Sequence, residues 1–154
     1  MHVRRMSILD APADRVADLA ADPLHMRALL RPLVAAAPTD PPAFPRRWAP
    51  GRYRVDMKLF GVIPLGWQDI VVTAIGIDPT TGRWHMHDAG RGLLARRWDH
   101  EIELEALDDG RTRYTDRVEV EAGVMTIAAW LFAQAVFAWR HHRWRALLRD
   151  RTPR

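Results

Sequence analysis

The spacing of apolar positions changes along the chain, and the change divides it into three stretches. From residue 51 to 122 the period is two. Tyr53, Val55, Met57 and Leu59 alternate with Arg52, Arg54, Asp56 and Lys58, which predicts a strand with one buried face. Residues 95–107 alternate in the same way, with Trp98, His100, Ile102, Leu104 and Ala106 inward and Arg97, Asp99, Glu101, Glu103 and Glu105 outward. In 111–122, Thr112, Tyr114, Asp116, Val118 and Val120 share one face. Residues 67–78 are apolar on both faces, so that strand has no assigned facing. Residues 83–88 read as a short strand and 89–92 as a turn. Further turns fall at 61–66, 78–82 and 108–110, where Gly and Pro or Asp-Asp-Gly interrupt the pattern.

From residue 122 onward the period is that of a helix. No charge occurs between Ala122 and Trp139, and no Gly or Pro between Val124 and Thr152. One long helix is expected, opened by Gly123 and ended before Pro153. Trp130, Gln134, Phe137, His141, Trp144 and Leu148 follow at spacings of 4, 3, 4, 3 and 4, one uncharged seam that should face the sheet. A second stripe, Met125, Phe132, Val136 and Trp139, lies on the other side. Such a stripe is not left bare. Its cover is another segment, a second copy in a homodimer, or a membrane surface; residues 33–50 are the nearest candidate. The uncharged run approaches the length of a membrane span. The seam continuing into the charged half, with Gln134 and Thr126, argues for a core helix instead.

The first stretch reads as a strand at 3–9, a helix at 13–21 capped by Asp10, and a second short helix at 24–30 after the Asp22-Pro23 break. Residues 31–50 carry Pro32, Pro38, Pro41, Pro42, Pro45 and Pro50, a density at which no regular element is expected. Leu33, Val34, Phe44 and Trp48 mark this stretch as an ordered cover. The order is β-α-α-β-β-β-β-β-α. It predicts an α+β fold in which a curved antiparallel sheet of about six strands packs on the C-terminal helix, one domain over 1–154.

Composition narrows the chemistry. There is no Cys, which excludes disulfides, thiolate metal sites and Cys nucleophiles. No apolar leader opens the chain, so a cytoplasmic bacterial-type protein is expected. The formal charge is +4, and Lys58 is the sole lysine. The arginines mix with acids except at the end, where Arg140, Arg143, Arg145, Arg149, Arg151 and Arg154 meet only Asp150. That run reads as a solvated helix face, with peripheral contact to anionic lipid as the functional alternative. No nucleic-acid motif accompanies it.

His100 and Asp116 stand out as polar residues on inward faces. The 108–110 turn sets them diagonally across a strand pair, about 7–8 Å apart at Cα. A carboxylate beside the imidazole is expected to raise its pKa and keep it charged. His85 and His87, two apart on one strand, would need a third ligand such as Asp69 or Asp99 to hold a metal. Trp84 and Met86 take the inward positions, so no metal and no cofactor is expected.

The order of elements and the opening Ile8-Leu9-Asp10-Ala11-Pro12-Ala13-Asp14-Arg15-Val16 resemble the START-like helix-grip superfamily (SRPBCC), with its polyketide cyclases and pollen-allergen (Bet v 1-like) members. The stretch from Phe137 to Leu148, with Trp-Arg-His-His-Arg-Trp at its centre, is similar to the helix end of bacterial ligand-binding members. The second short helix, Met26-Arg27-Ala28-Leu29-Leu30, lacks the Trp that many bacterial members carry. The resemblance implies a cavity between sheet and last helix that binds a small hydrophobic molecule: a lipid, polyketide or aromatic. On the inward faces above, Tyr53, Val55, Met57, Trp98, His100, Tyr114, Asp116, Trp130, Gln134 and Phe137 would line it. Two other functions compete. His100 and Asp116 could act as the acid–base pair of a cyclase-like enzyme, or the C-terminal helix could dock on a membrane or partner.

Overall fold

The computed structural model describes residues 1–149. Its elements are β1 (His2–Leu9), α1 (Ala13–Ala20), α2 (Pro23–Leu30), β2 (Val34–Asp40), β3 (Gly51–Leu59), β4 (Ile63–Ile77), β5 (Trp84–Gly92), β6 (Arg97–Ala106), β7 (Thr112–Glu121) and α3 (Thr126–Arg149), the last preceded by a 3-10 turn at Gly123–Met125. The strands form one antiparallel sheet in the order β1-β7-β6-β5-β4-β3-β2. Successive hairpins build it from β2 to β7, and β1 closes onto β7. Helix α3 lies against β1 and β7, with α2 beside it. This is the helix-grip arrangement.

Alternation explains the layers. The inward residues of β6 and β7 meet α3, where Tyr114 and Trp144 are fully enclosed among Leu9, Ile102 and Leu104. A second cluster gathers Phe137 with Val3, Val118 and Val120. Burying each such side chain is worth about 1.5–3 kcal/mol. The outward residues pair in cross-strand ladders, Arg113 with Glu105 at 2.6 Å and Arg97 with Glu119 at 3.1 Å.

Three expectations are corrected, and the open facing of one strand is settled. The proline-rich stretch does form a strand: β2 pairs with β3 from Val34 to Asp40, making seven strands in all. Pro38 is tolerated because β2 is an edge strand, and the register slips there. The turn placed at 89–92 belongs to β5. A Cβ on Gly90 would lie 2.8 Å from the Asp69 carbonyl oxygen, and one on Gly92 2.7 Å from that of Trp67. These glycines serve close strand approach, not reversal. The two-faced apolar pattern of β4 comes from a register shift between Val72 and Ala74, which turns Ile75 back toward the core after Ile70 and Val72. Finally, α1 starts after Pro12 without a side-chain cap, whereas Asp22 caps α2 by accepting from the Leu24 amide at 2.9 Å.

By length and composition α3 is able to cross a membrane, with mean hydropathy 1.2 over its most apolar window. In the fold its C-terminal half is gripped by the sheet. The 3-10 turn before it leaves Val124 and Met125 exposed, and its own first turns leave Ile127 and Leu131 exposed. The end expected before Pro153 lies outside the described residues.

Candidate ligand cavity

Beneath α3 the packing is uneven. Toward the C-terminal half, Trp144 fills the space against Tyr114. Toward the N-terminal half, a cavity of about 150 Å³ remains. Val55 and Met57 of β3, Ile70 of β4, Met86 of β5 and Ile102 of β6 form one wall. Phe132, Val136 and Phe137 of α3 form the other. Val34 and Ala36 of β2 extend the wall, and the cover contributes Phe44 and Trp48. Trp48 is anchored by its amide on the Ala21 carbonyl at 2.8 Å. Phe132 and Val136 therefore belong to the cavity, and Trp139 donates to the Arg31 carbonyl at 3.1 Å. The second helical stripe is covered in part as expected, with a void beneath it; Met125 stays exposed.

The polar part of the wall is small: Asp88, His100 and Arg140, with Arg27 and Gln68 also reaching it. His100 donates from Nε2 to Asp116 Oδ1 at 2.7 Å, across the diagonal fixed by the pairing of Ile102 with Asp116. Asp116 is wholly enclosed one layer behind. His141 Nε2 donates to its other oxygen at 3.0 Å, and the Tyr114 hydroxyl donates to Oδ1 at 3.3 Å. Arg140 stands 3.7 Å from Oδ2 and hydrogen-bonds the Tyr114 oxygen. Ser7 completes the network at 2.8 Å from His141 Nδ1.

A carboxylate only accepts, so both imidazoles present Nε2–H to it, and Ser7 donates to His141. Burial alone would push the Asp116 carboxyl up. The Arg140 charge and the bonds from His100 and His141 override it and hold the group well below the usual carboxylate range. His100 behaves contrary to expectation. Burial pulls its pKa down, outweighing the bond and charge of Asp116 that pull it up. Desolvation wins, and the positive charge of Arg140 nearby adds to the lowering. The imidazole is therefore neutral at pH 7.

The sequence-derived lining splits in two. Val55, Met57, Trp98, His100 and Phe137 are on the wall. Tyr53, Tyr114, Asp116, Trp130 and Gln134 are not part of it. Tyr53 turns its hydroxyl to the Ala49 carbonyl at 2.9 Å. Tyr114 and Asp116 are shut in beneath Trp144, Arg140 and His141. Trp130 donates to the His2 carbonyl at 2.8 Å, and Gln134 accepts from Arg5 at 3.0 Å, both along β1. Of the two outward histidines considered for metal, His87 has its ring nitrogens on Thr73 at 2.6 Å and Asp99 at 2.9 Å.

Among the wall residues that the sequence-derived lining lacks, Arg140 and Asp88 matter most, because they form its polar side with His100. Arg140 was counted with the basic tail, yet it lies three residues after Phe137 and four before Trp144, on the buried face. Asp88 was read as the end of a short strand. It stands opposite His100 in the register of β5 and β6.

A family model describing a domain of unknown function, DUF8410, matches residues 7–148. The chain belongs to that family. No curated protein matches it. Among solved structures it is similar to protein CV1439 from Chromobacterium violaceum, at TM-score 0.68 and 16% identity over 96% of this chain and 97% of that one. The Zhui aromatase/cyclase from a Streptomyces species superposes at TM-score 0.64 and 14% identity, over 98% and 94% of the two chains. A START superfamily protein from Mycobacterium smegmatis does so at TM-score 0.61 and 14% identity, over 98% and 99%. These likenesses establish the helix-grip fold for this DUF8410 chain, and at such identities they establish the fold alone.

Proposed function

We propose that this DUF8410 chain binds a small hydrophobic molecule between its sheet and the first half of α3. The observation that carries the reading is a largely apolar void between sheet and helix with a few polar groups at one side. Proteins close such spaces unless something uses them, because a void forfeits dispersion contacts on every lining atom. The volume limits the guest. A cavity of about 150 Å³ accommodates a benzene-sized ring, whereas sites for drug-sized ligands run to about 300–1,000 Å³. A single ring or a short acyl chain fits without movement. A larger lipid or polyketide requires the cover to shift.

Native mass spectrometry and organic extraction of the purified chain, together with displacement of an apolar dye, test this. One guest per chain is expected, lost in Val136→Phe. Absence of any co-purified molecule, with no displacement by any candidate, would end the reading.

A second reading rests on the 2.7 Å contact between His100 and Asp116. A neutral imidazole held by a carboxylate is a general base, suited to drawing a proton from beside a carbonyl. The reading is the weaker because Asp116 also accepts from His141 and Tyr114 and faces the charge of Arg140. It predicts that His100→Ala keeps binding and loses turnover of an enolisable ring precursor. Unchanged turnover in that variant removes it.

A further inference from the structure

The cavity has one polar feature that apolar binding does not use. Asp88 and His100 face each other directly across β5 and β6, and both reach the same void. Residues so placed have Cβ atoms about 4.5–5.5 Å apart. Neither side chain bonds the other. His100 spends Nε2–H on Asp116, and its Nδ1 has no hydrogen-bond partner among the described residues. Asp88 accepts at Oδ1 from the Val71 amide at 2.7 Å, the one hydrogen bond to its side chain among the described residues. Both residues are buried, and the hydrogen-bonding capacity each keeps is turned to the cavity they line, where a guest can use it.

We propose that Asp88 and His100 together bind a single hydroxyl group, so that the cavity selects a small neutral phenol or alcohol over a hydrocarbon, ketone or carboxylate of similar size. This inference rests on the ligand-binding reading above and names its chemical class. Chemical complementarity decides the class. With Nε2 protonated, the neutral His100 ring offers only a lone pair at Nδ1, and so needs a donor. Burial pushes the Asp88 carboxyl up to about 7, against the Val71 bond that draws it down, so near neutrality it is available as an O–H donor. A hydroxyl is both donor and acceptor through one oxygen, and can bridge the two. A ketone gives His100 nothing. A carboxylate can accept from Asp88, but its second oxygen then meets the His100 lone pair, and Arg140 is already engaged by Tyr114 and Asp116.

Calorimetric titration with phenol, benzene and benzoate tests the proposal, using wild type, Asp88→Leu and Asp88→Asn. The expected result is a phenol-to-benzene affinity ratio that falls about tenfold in Asp88→Leu, while benzene binding persists. Asp88→Asn should keep the ratio, since its amide can accept from Val71 and donate to the hydroxyl. Benzoate should bind weakest in wild type. As a check that needs no variant to fold, phenol should shift the ¹⁵N resonance of His100 Nδ1 and benzene should not. Equal ratios in wild type and Asp88→Leu, or an Nδ1 signal unmoved by phenol, overturn the hydroxyl site and leave the cavity reading standing. No binding of either phenol or benzene to wild type overturns both.

Discussion

The two halves of α3 make opposite use of the same sheet. From Arg140 to Leu148 the helix is locked: Arg140, His141, Trp144 and Leu148 are buried, and the first two converge on Asp116. From Thr126 to Val136 only Ala133 and Val136 are buried, and Phe132 and Val136 border a void. The buried polar network fixes where the helix sits. That lets the other half stand off from β3 to β5 and keep its space. Stability is concentrated at one end, and the candidate function occupies the other.

Breaking the locked half should have the largest effect. Asp116→Asn leaves Arg140 buried beside a neutral group, and removing one partner of a buried pair costs about 3–5 kcal/mol. Chemical denaturation should register that loss. A change under about 1 kcal/mol would mean that the network does not hold the helix.

Asp88 ties the open half to pH. Its folded pKa, about 7, lies above its ordinary value of 3.8, so the folded state binds more protons between those values. Stability is then greatest below about pH 4 as far as this group is concerned, and declines as pH rises through 7, by as much as about 4 kcal/mol. Asp88→Asn should flatten that decline. Parallel pH–stability curves for the two proteins would contradict the assignment.

Filling the open half should cost little. Val136→Phe puts extra volume into the void, and the expected change is about 1 kcal/mol or less, often in the stabilising direction. The same kind of enlargement in the locked half, Leu148→Trp, would overpack and cost about 1–3 kcal/mol or more. Thermal melts of the pair sharpen the contrast, and similar melting temperatures would erase it.

Smallest of all is the outer face. Arg113→Ala removes an exposed pair with Glu105 and should alter stability least of these variants, and less at high salt than at low salt. A larger, salt-independent loss would show that this face is covered.

The parts of the fold with a clean period were readable in advance. Alternation placed β3, β6 and β7, and the 4-3-4-3-4 seam placed α3 with the buried His141 and Trp144. The diagonal of His100 and Asp116 followed from one hairpin turn. What escaped has physical causes. Pro38 hid β2 because proline density forbids central strands but not edge ones. Gly90 and Gly92 imitated a turn while serving close packing. Arg140 was hidden because a charge is normally read as surface. Only its counter-ion, on a strand far off in sequence, makes burial tolerable. Tyr114 and Asp116 do face inward, but periodicity cannot distinguish a residue on a cavity wall from one sealed behind it. Gln134 and Trp130 share the seam yet bond to Arg5 and His2 of β1, a strand whose place beside the helix is set by its pairing with β7 and not by the helical pattern.

The most direct measurement is a crystal structure of the chain under xenon pressure. Xenon enters dry apolar cavities and no close-packed core. The account predicts one bound atom among Val55, Met86, Phe132 and Val136, and none near Trp144. Density absent from that space, or the space filled by rearranged side chains, would contradict it.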